Sequence, residues 1–408
     1  MQTSWIVLSL TALSACPLCS CAETNTLIPS DGSFEVTGRK FDHVWHTKTQ
    51  MPSSRSDMSA TTVGAAIYIV GGCALDQVWV PDPPYPSYVC GGKSGNAITG
   101  SVIRYYPKTD TFDSSLPDAP RPRYRHAAAA VGDQLFLFGG VDGSDNIISE
   151  VDVLDTATGK WSTLSEKMPN ATTDLSAFAY GGLIYTTGGY NANWQASVKT
   201  QIFDPTPANN GIGSWQVGPS LLQARGDAFA AVVGENAYVG GGFHHENNFK
   251  MPVKSLEMLN LREGNVFVPV KDMETARGDK AVAVLNNILH VVGGETKSSN
   301  GHSVPLKDVE AYDPDGDAWY EGGAIPSHRF RFVAAAHGDS IFIFGGQGYL
   351  TGEYEAEGSK YPVLGTVEEY RETVVILDAL NEASIFLPTL GCLISSLAIC
   401  TGISIVGW

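Results

Sequence analysis

Ser59-Ala60-Thr61-Thr62-Val63-Gly64-Ala65-Ala66-Ile67-Tyr68-Ile69-Val70-Gly71-Gly72 is the stretch from which the rest of the chain can be read. Small residues run into a tight turn at Gly64-Ala65. Apolar, β-branched and aromatic residues then follow without a break and stop at a glycine pair, which describes two short strands joined by a turn. The same pattern returns at His126–Gly140, Leu175–Gly189, Ala228–Gly242, Lys280–Gly294 and Phe332–Gly346. The second glycines, Gly72, Gly140, Gly189, Gly242, Gly294 and Gly346, fall about 50 residues apart. Only the first interval is longer, because Cys73 to Gly100 is an insertion.

Each copy continues alike. A third strand ends in an apolar or aromatic pair, a turn follows, and then an aromatic: Val153-Leu154-Asp155 to Trp161, Ile202-Phe203-Asp204-Pro205 to Trp215, Ala311-Tyr312-Asp313-Pro314 to Trp319. Phe112 and Phe267 stand for tryptophan in the first and fourth copies. A unit of four strands that cannot bury its faces alone must stack on its neighbours. The sixth copy runs to Val367-Glu368-Glu369-Tyr370 and no tryptophan follows, whereas Trp45 precedes the first glycine pair without partners. His43–His46 is therefore expected to supply the last outer strand, with Thr373–Asp378 as the alternative. Closing the ring this way removes open sheet edges.

The glycine pair, the aromatic near the third strand and the later tryptophan resemble the kelch repeat. The resemblance spans roughly residues 40 to 380 and implies an all-β, six-bladed kelch-type β-propeller. It implies little about activity, because propellers host many. The expected layout is an export signal at 1–22, a linker at 23–40, the propeller at 41–380 and an apolar tail at 381–408.

In such a fold the loops before the first strand share a face with the loops after the second. Before the first strand the six copies read Arg55-Ser56-Asp57, Arg123-Tyr124-Arg125-His126, Thr172-Thr173-Asp174, Arg225-Gly226-Asp227, Arg277-Gly278-Asp279 and Arg329-Phe330-Arg331. In kelch adaptor proteins the residues near the third position line the mouth that receives a partner peptide. The resemblance thus implies a ligand ring of Asp57, Arg125, Asp174, Asp227, Asp279 and Arg331, with His126 beside it. The first-position arginines Arg55, Arg225, Arg277 and Arg329 are expected to pair with carboxylates or carbonyls, as buried charges must. After the second strand come aromatic, uneven loops: Cys73–Gly100 with Trp79, Tyr85 and Tyr88; Tyr190–Trp194; Phe243–Asn248; Glu295–Ser303; and Gln347 to Tyr361. Trp194, His244 and Tyr349 are the ligand candidates there, since rings stack and polar neighbours orient a ligand.

Trp5–Ala15 is an apolar run and Ser20-Cys21-Ala22 offers small residues for cleavage, which is the pattern of an export signal despite the lack of an early Lys or Arg. Leu13-Ser14-Ala15-Cys16 also matches a bacterial lipoprotein box. Export would leave Cys73 and Cys90 as the cysteines of the repeat region and make them a disulfide candidate. It would also make Asn170-Ala171-Thr172 a glycosylation acceptor at Asn170. No charged residue follows Glu382, so Ile385–Trp408 is long enough to span a bilayer or to serve as a removable lipid-anchor signal. Pro388, Gly391 and Gly402 favour β-structure or a tail instead. The net charge of −17 repels phosphate backbones and argues against nucleic acid.

Arg225-Gly226-Asp227 and Arg277-Gly278-Asp279 spell an adhesion tripeptide, but the repeat register already accounts for them. His244-His245-Glu246 lacks a second histidine cluster to complete a metal site. Asp313-Pro314-Asp315-Gly316-Asp317 resembles a calcium loop but has Ala318 where glycine is needed, and reads as the turn before Trp319. No catalytic triad, phosphate loop or copper-ligand set is evident. The reading is a monomeric, non-catalytic, extracellular recognition scaffold for a protein or glycan, without cofactor or metal. Two alternatives stand beside it: an enzyme on the same face, such as a sugar mutarotase or lyase using Arg125, Arg331, His126 and an aspartate, and an intracellular kelch adaptor.

Overall fold

A computed structural model describes residues 41–75, 77–80, 87–90, 97–206, 213–244, 251–298, 303–348 and 360–374. The expected signal, linker and tail lie outside these residues, as do Tyr85, His245, Glu246 and Tyr349. Phe41–Thr373 forms one unit of six four-stranded antiparallel sheets. Blade 1 pairs Ser59–Val63, Ala66–Val70, Val102–Tyr106 and Thr111–Asp113 in that order. Blades 2 to 5 begin at Ala127–Val131, Ser176–Tyr180, Phe229–Val233 and Ala281–Leu285. Blade 6 begins at Val333–His337, continues through Ser340–Phe344 and Val367–Val374, and is finished by Phe41–Thr47 from the other end of the chain. The expected closure by Trp45 is therefore found, and its ring lies 5.5 Å from that of Tyr370.

Six apolar clusters fill the six interfaces between successive blades. Strand alternation assigns the side chains: Ile67 and Ile69 face blade 6, whereas Ala66, Tyr68 and Val70 face blade 2. Both faces of a second strand are thus covered, which explains its unbroken apolar run and the full burial of Ala66–Val70. First strands crowd the axis and carry small residues, as in Ala127–Val131. In blades 2 and 5 the outer aromatic ties the blade to the one before it: the indoles of Trp161 and Trp319 donate to the carbonyls of Pro117 and Lys271.

The glycine pairs permit the close approach of neighbouring blades. A Cβ at Gly139 would sit 2.2 Å from the Thr172 carbonyl of the next blade, and Gly139 holds φ at +63°. The adjacent Gly140 donates its N–H to that same carbonyl at 3.1 Å.

Three features were not foreseen. The blade 1 insertion forms a hairpin of Gln77–Val80 and Ser87–Cys90, and Lys360–Tyr361 of blade 6 joins it as a third strand. The middle strands of blade 5 run on as Ile288–Lys297 and Ser303–Asp313, paired out to Lys297 and Ser303. Arg329–Phe330 pairs with Gln347–Gly348. Asp313–Asp317 is a turn: Asp317 takes φ +44° and accepts from the Tyr312 hydroxyl and the Lys271 amide.

Candidate functional site

The first position of each pre-strand triplet is structural. Arg55, Arg123, Arg225, Arg277 and Arg329 each send Nη1 to the carbonyl of the first glycine of their own blade's pair, at 3.0–3.4 Å. Thr172 donates to Gly188 in the same register at 3.1 Å. Four of the guanidinium groups also meet a carboxylate on the third strand: Asp152, Glu257, Glu310 with Asp308, and Glu368. Where the arginine is missing, in blade 3, the acid is missing too: Gln201 stands there and bonds the backbone of Asn170. In blade 1 the register holds Ile103, and Arg55 turns to the hydroxyls of Ser53 and Ser101 instead. This burial removes the adhesion reading of the two Arg-Gly-Asp triplets. Arg225 and Arg277 are fully buried, and Gly226 and Gly278 lie under the rings of Tyr190 and Phe243.

The third position gathers at the axis. Asp57, Arg125, Asp174, Asp227, Asp279 and Arg331 all take the left-handed conformation, with φ between 50° and 57°. Asp and Asn tolerate that region, whereas arginine rarely enters it, so the surrounding structure enforces it. Their backbones form a ring. Asp57 donates its N–H to Arg331, Arg125 to Asp57, Asp174 to Arg125, Asp227 to Asp174, and Arg331 to Asp279, at 2.8–3.0 Å. At the junction of blades 4 and 5 the Lys280 ammonium bonds the Asp227 carbonyl.

The side chains of this ring are nearly buried and pair among themselves. Arg331 lies 3.1 Å from Asp279 and 3.8 Å from Asp57, and Arg125 lies 3.8 Å from Asp174. Arg125 also sits over the rings of Tyr124 and Trp194, at 5.4 and 5.6 Å. Around the axis the order is Asp, Arg, Asp, Asp, Asp, Arg, so Asp227 alone has a carboxylate on each side. Burial, with Asp174 and Asp279 next to it, pushes its carboxyl well above the usual range. Burial raises Asp174 to about 6 against the pull of Arg125, while Arg331 holds Asp279 low despite its burial. Burial lowers Lys280 to about 7. The Tyr190 hydroxyl donates to Asp227 at 3.1 Å.

Of the remaining candidates Trp194 stands beside the ring, against Arg125, and the other described ones are held by partners of their own. His126 shares a 2.9 Å hydrogen bond with Ser59, and burial with Arg123 nearby drives its pKa down to about 3, which leaves it a poor acid–base group near neutrality. Trp194 is half-buried and packs on Tyr190 at 6.0 Å. His244 bonds the Ala224 carbonyl at 3.0 Å. Cys73 is buried and disulfide-bonded; the side chain of Cys90 lies outside those described. Asn170 sits in the turn before blade 3, its Oδ1 taken by Lys199. Among the described residues no three His, Cys, Asp or Glu side chains are placed to hold a metal. No described helix is long and apolar enough to cross a membrane.

Lys280 and Glu295 join the axial ring without having been singled out as site residues, and Gln347 is buried at the matching position of blade 6. Their signal was in the register: Lys280 follows a third-position aspartate, and Glu295 and Gln347 directly follow a glycine pair, where Cys73, Val141, Tyr190 and Phe243 stand in the other blades.

The model of the Attractin/LZTR1 beta-propeller family matches residues 87–354. The chain belongs to this family. Several curated relatives of this propeller carry kelch names. A Kelch-like protein terF of Aspergillus terreus is 28% identical over 56% of this chain and 50% of its own length. Kelch repeat protein M-T8 of myxoma virus is 25% identical over 64% and 48%, and human Kelch-like protein 23 is 23% identical over 71% and 48%. The chain thus spans about half the length of these relatives. Among solved structures, that of YjhT superposes with a TM-score of 0.60, covering 79% of this chain and 96% of its own at 14% identity. That likeness concerns the fold alone.

Proposed function

We propose that this kelch-type propeller is a non-catalytic scaffold that recognises a protein outside the cell, on the face bearing the loops between second and third strands. One observation carries the reading. Six equivalent loops bring six charged side chains to one axis, and the backbone ring beneath fixes them before any partner arrives. Preorganisation of this kind lowers the ordering cost of binding. The ring itself is the floor; contact belongs to what stands over it, with Trp194 the anchor because a half-buried aromatic beside a guanidinium offers area and orientation together. The kelch resemblance supports the same face, and the export pattern at the N-terminus supports an extracellular setting. In that setting Cys73 pairs with Cys90 and clips the blade 1 insertion.

The test replaces Trp194 with a photo-crosslinking residue in the full chain and, as control, does the same at Val217, which is 93% exposed on the outer strand of blade 3. A protein crosslinked from Trp194 and absent from Val217 is expected. Equal yields from both positions, or capture only of glycans on an array probed with the same chain, would overturn the reading.

A further inference from the structure

Blade 3 is nearly without charge. Between Asn170 and Leu222 the only charged residues are Asp174, Lys199 and Asp204, in a chain of which 17% is charged. Asp174 is turned to Arg125 in the axial ring, and Lys199 bonds Asn170. The outer rim of this blade is also apolar. Val217, at the end of the outer strand Ser214–Val217, is almost fully exposed. Val198 and Leu222 are exposed on the same rim, where the Leu221 amide donates to the Val198 carbonyl at 2.8 Å. Apolar groups gathered on a surface mark a contact, and depletion of charge marks the centre of one.

The same rim carries a hole. A cleft of about 140 Å³ opens between blades 2 and 3. Phe136 and Val153, both buried, form its floor, Leu164 and Pro205 line it with them, and the exposed Gln134 and Ser162 stand at its mouth. Cavities of about this size admit a group as large as benzene. Strand alternation sets Val217 on the side of the hole. Trp215 faces blade 2, its ring 5.9 Å from that of Phe138, so Gly213 and Val217, two residues away in either direction, face blade 2 as well. Gly213 borders the cleft, and Val217 stands four residues further along the strand, about 13 Å away.

A knob and a hole on one rim are self-complementary. Two copies related by a two-fold axis make the same contact twice, which closes the pair. Charge permits the approach at this rim. A chain with a net charge of −17 repels its own copies, but salt screens that repulsion beyond about 8 Å, and what remains is local. No residue that lines the cleft is charged, and Asp133, Lys160 and Asp204 flank it with one base against two acids. The exposed Val266 and Val268 of blade 4 stand instead among Arg262, Glu263, Lys271 and Asp272. We propose that the seam of blades 2 and 3 joins two copies of this chain about a two-fold axis, the Val217 of each seated in the cleft of the other. The monomer expected from the sequence gives way to a pair, and the contact does not depend on the recognition face argued above.

Sedimentation velocity of the purified full chain, over about three decades of concentration, reads the association directly. A reversible dimer is expected. Val217→Asp spoils the knob and Ser162→Trp fills the hole, and each should weaken the dimer by at least about tenfold. Val266→Asp sets the same charge on another exposed valine and should change it by less than about twofold. All three positions are exposed, so each variant should melt as the parent does. A photo-crosslinking residue at Val217, in the purified chain alone, should give a product of twice the chain's mass, joined to the peptide that holds Ser162 and Leu164. That product is the chain itself and is distinct from any other protein captured at Trp194. A monomer at every concentration would refute the assignment. So would a dimer that Val217→Asp and Ser162→Trp leave intact, one that Val266→Asp weakens equally, or a self-crosslink that maps to another blade. Capture from Trp194 keeps its meaning in each case.

Discussion

Asp174 shows how a single side chain takes its properties from its neighbours. It is buried between Arg125 and Asp227, and desolvation outweighs the arginine enough to lift it from 3.8 to about 6. The folded state therefore holds its proton at pH values where the unfolded chain has released it. The stability this confers is complete below pH 4 and is lost as pH rises through 6. Asp174→Asn cannot ionise. Relative to the parent, the variant should gain about 2 kcal/mol between pH 4 and pH 7.5, since displacing a pKa by one pH unit corresponds to about 1.4 kcal/mol and part of the effect already falls below pH 4. Urea denaturation at the two pH values measures this, and an unchanged difference would place the proton elsewhere. At this scale the sequence was informative about position and silent about charge state. Aligning six copies put Asp57, Arg125, Asp174, Asp227, Asp279 and Arg331 in one register. It could not show that the arginines pair inward with them, nor that His126 is turned to Ser59. Those outcomes depend on distances across blades, which spacing along the chain does not contain. The burial of the first-position arginines was legible because a conformationally costly, charged residue repeated beside a strand needs a fixed partner.

Phe41–Thr47 is the element on which closure depends. It pairs with Val367–Val374, and without it that strand would be an open edge in the last blade. Trp45 packs against Tyr370 and the cluster between blades 5 and 6. Trp45→Ala should cost about 3 kcal/mol, read as a lower urea midpoint at an unchanged slope. Removal of residues 41–47 should shift the chain to higher-order species in size-exclusion chromatography. A deletion variant that keeps the parent's elution volume and melting temperature would show the strand to be dispensable. The strands of all six blades were legible because a strand covered on both faces writes an unbroken apolar run, and one beside the axis writes alanine and serine. The sheet linking blades 1 and 6 was not, because Lys360–Tyr361 and Gln77–Val80 are each too short to carry a period of their own. Their pairing is a product of tertiary proximity.

For the molecule as a whole, stability is distributed around a circle of interfaces and no blade holds a private core. Hydrogen exchange should report that arrangement. The ring amides of Asp57, Arg125, Asp174, Asp227 and Arg331 are expected to exchange at least about a thousandfold more slowly than those of the outer strands Thr111–Asp113 and Val268–Val270. Comparable rates would mean that the axis opens as readily as the rim. The same ring has a further consequence for how damage spreads. Five of its six junctions are backbone hydrogen bonds and the Lys280 ammonium spans the sixth, so the blades are fastened in series like the staves under one hoop, and a fault in any one triplet slackens the grip of both neighbours.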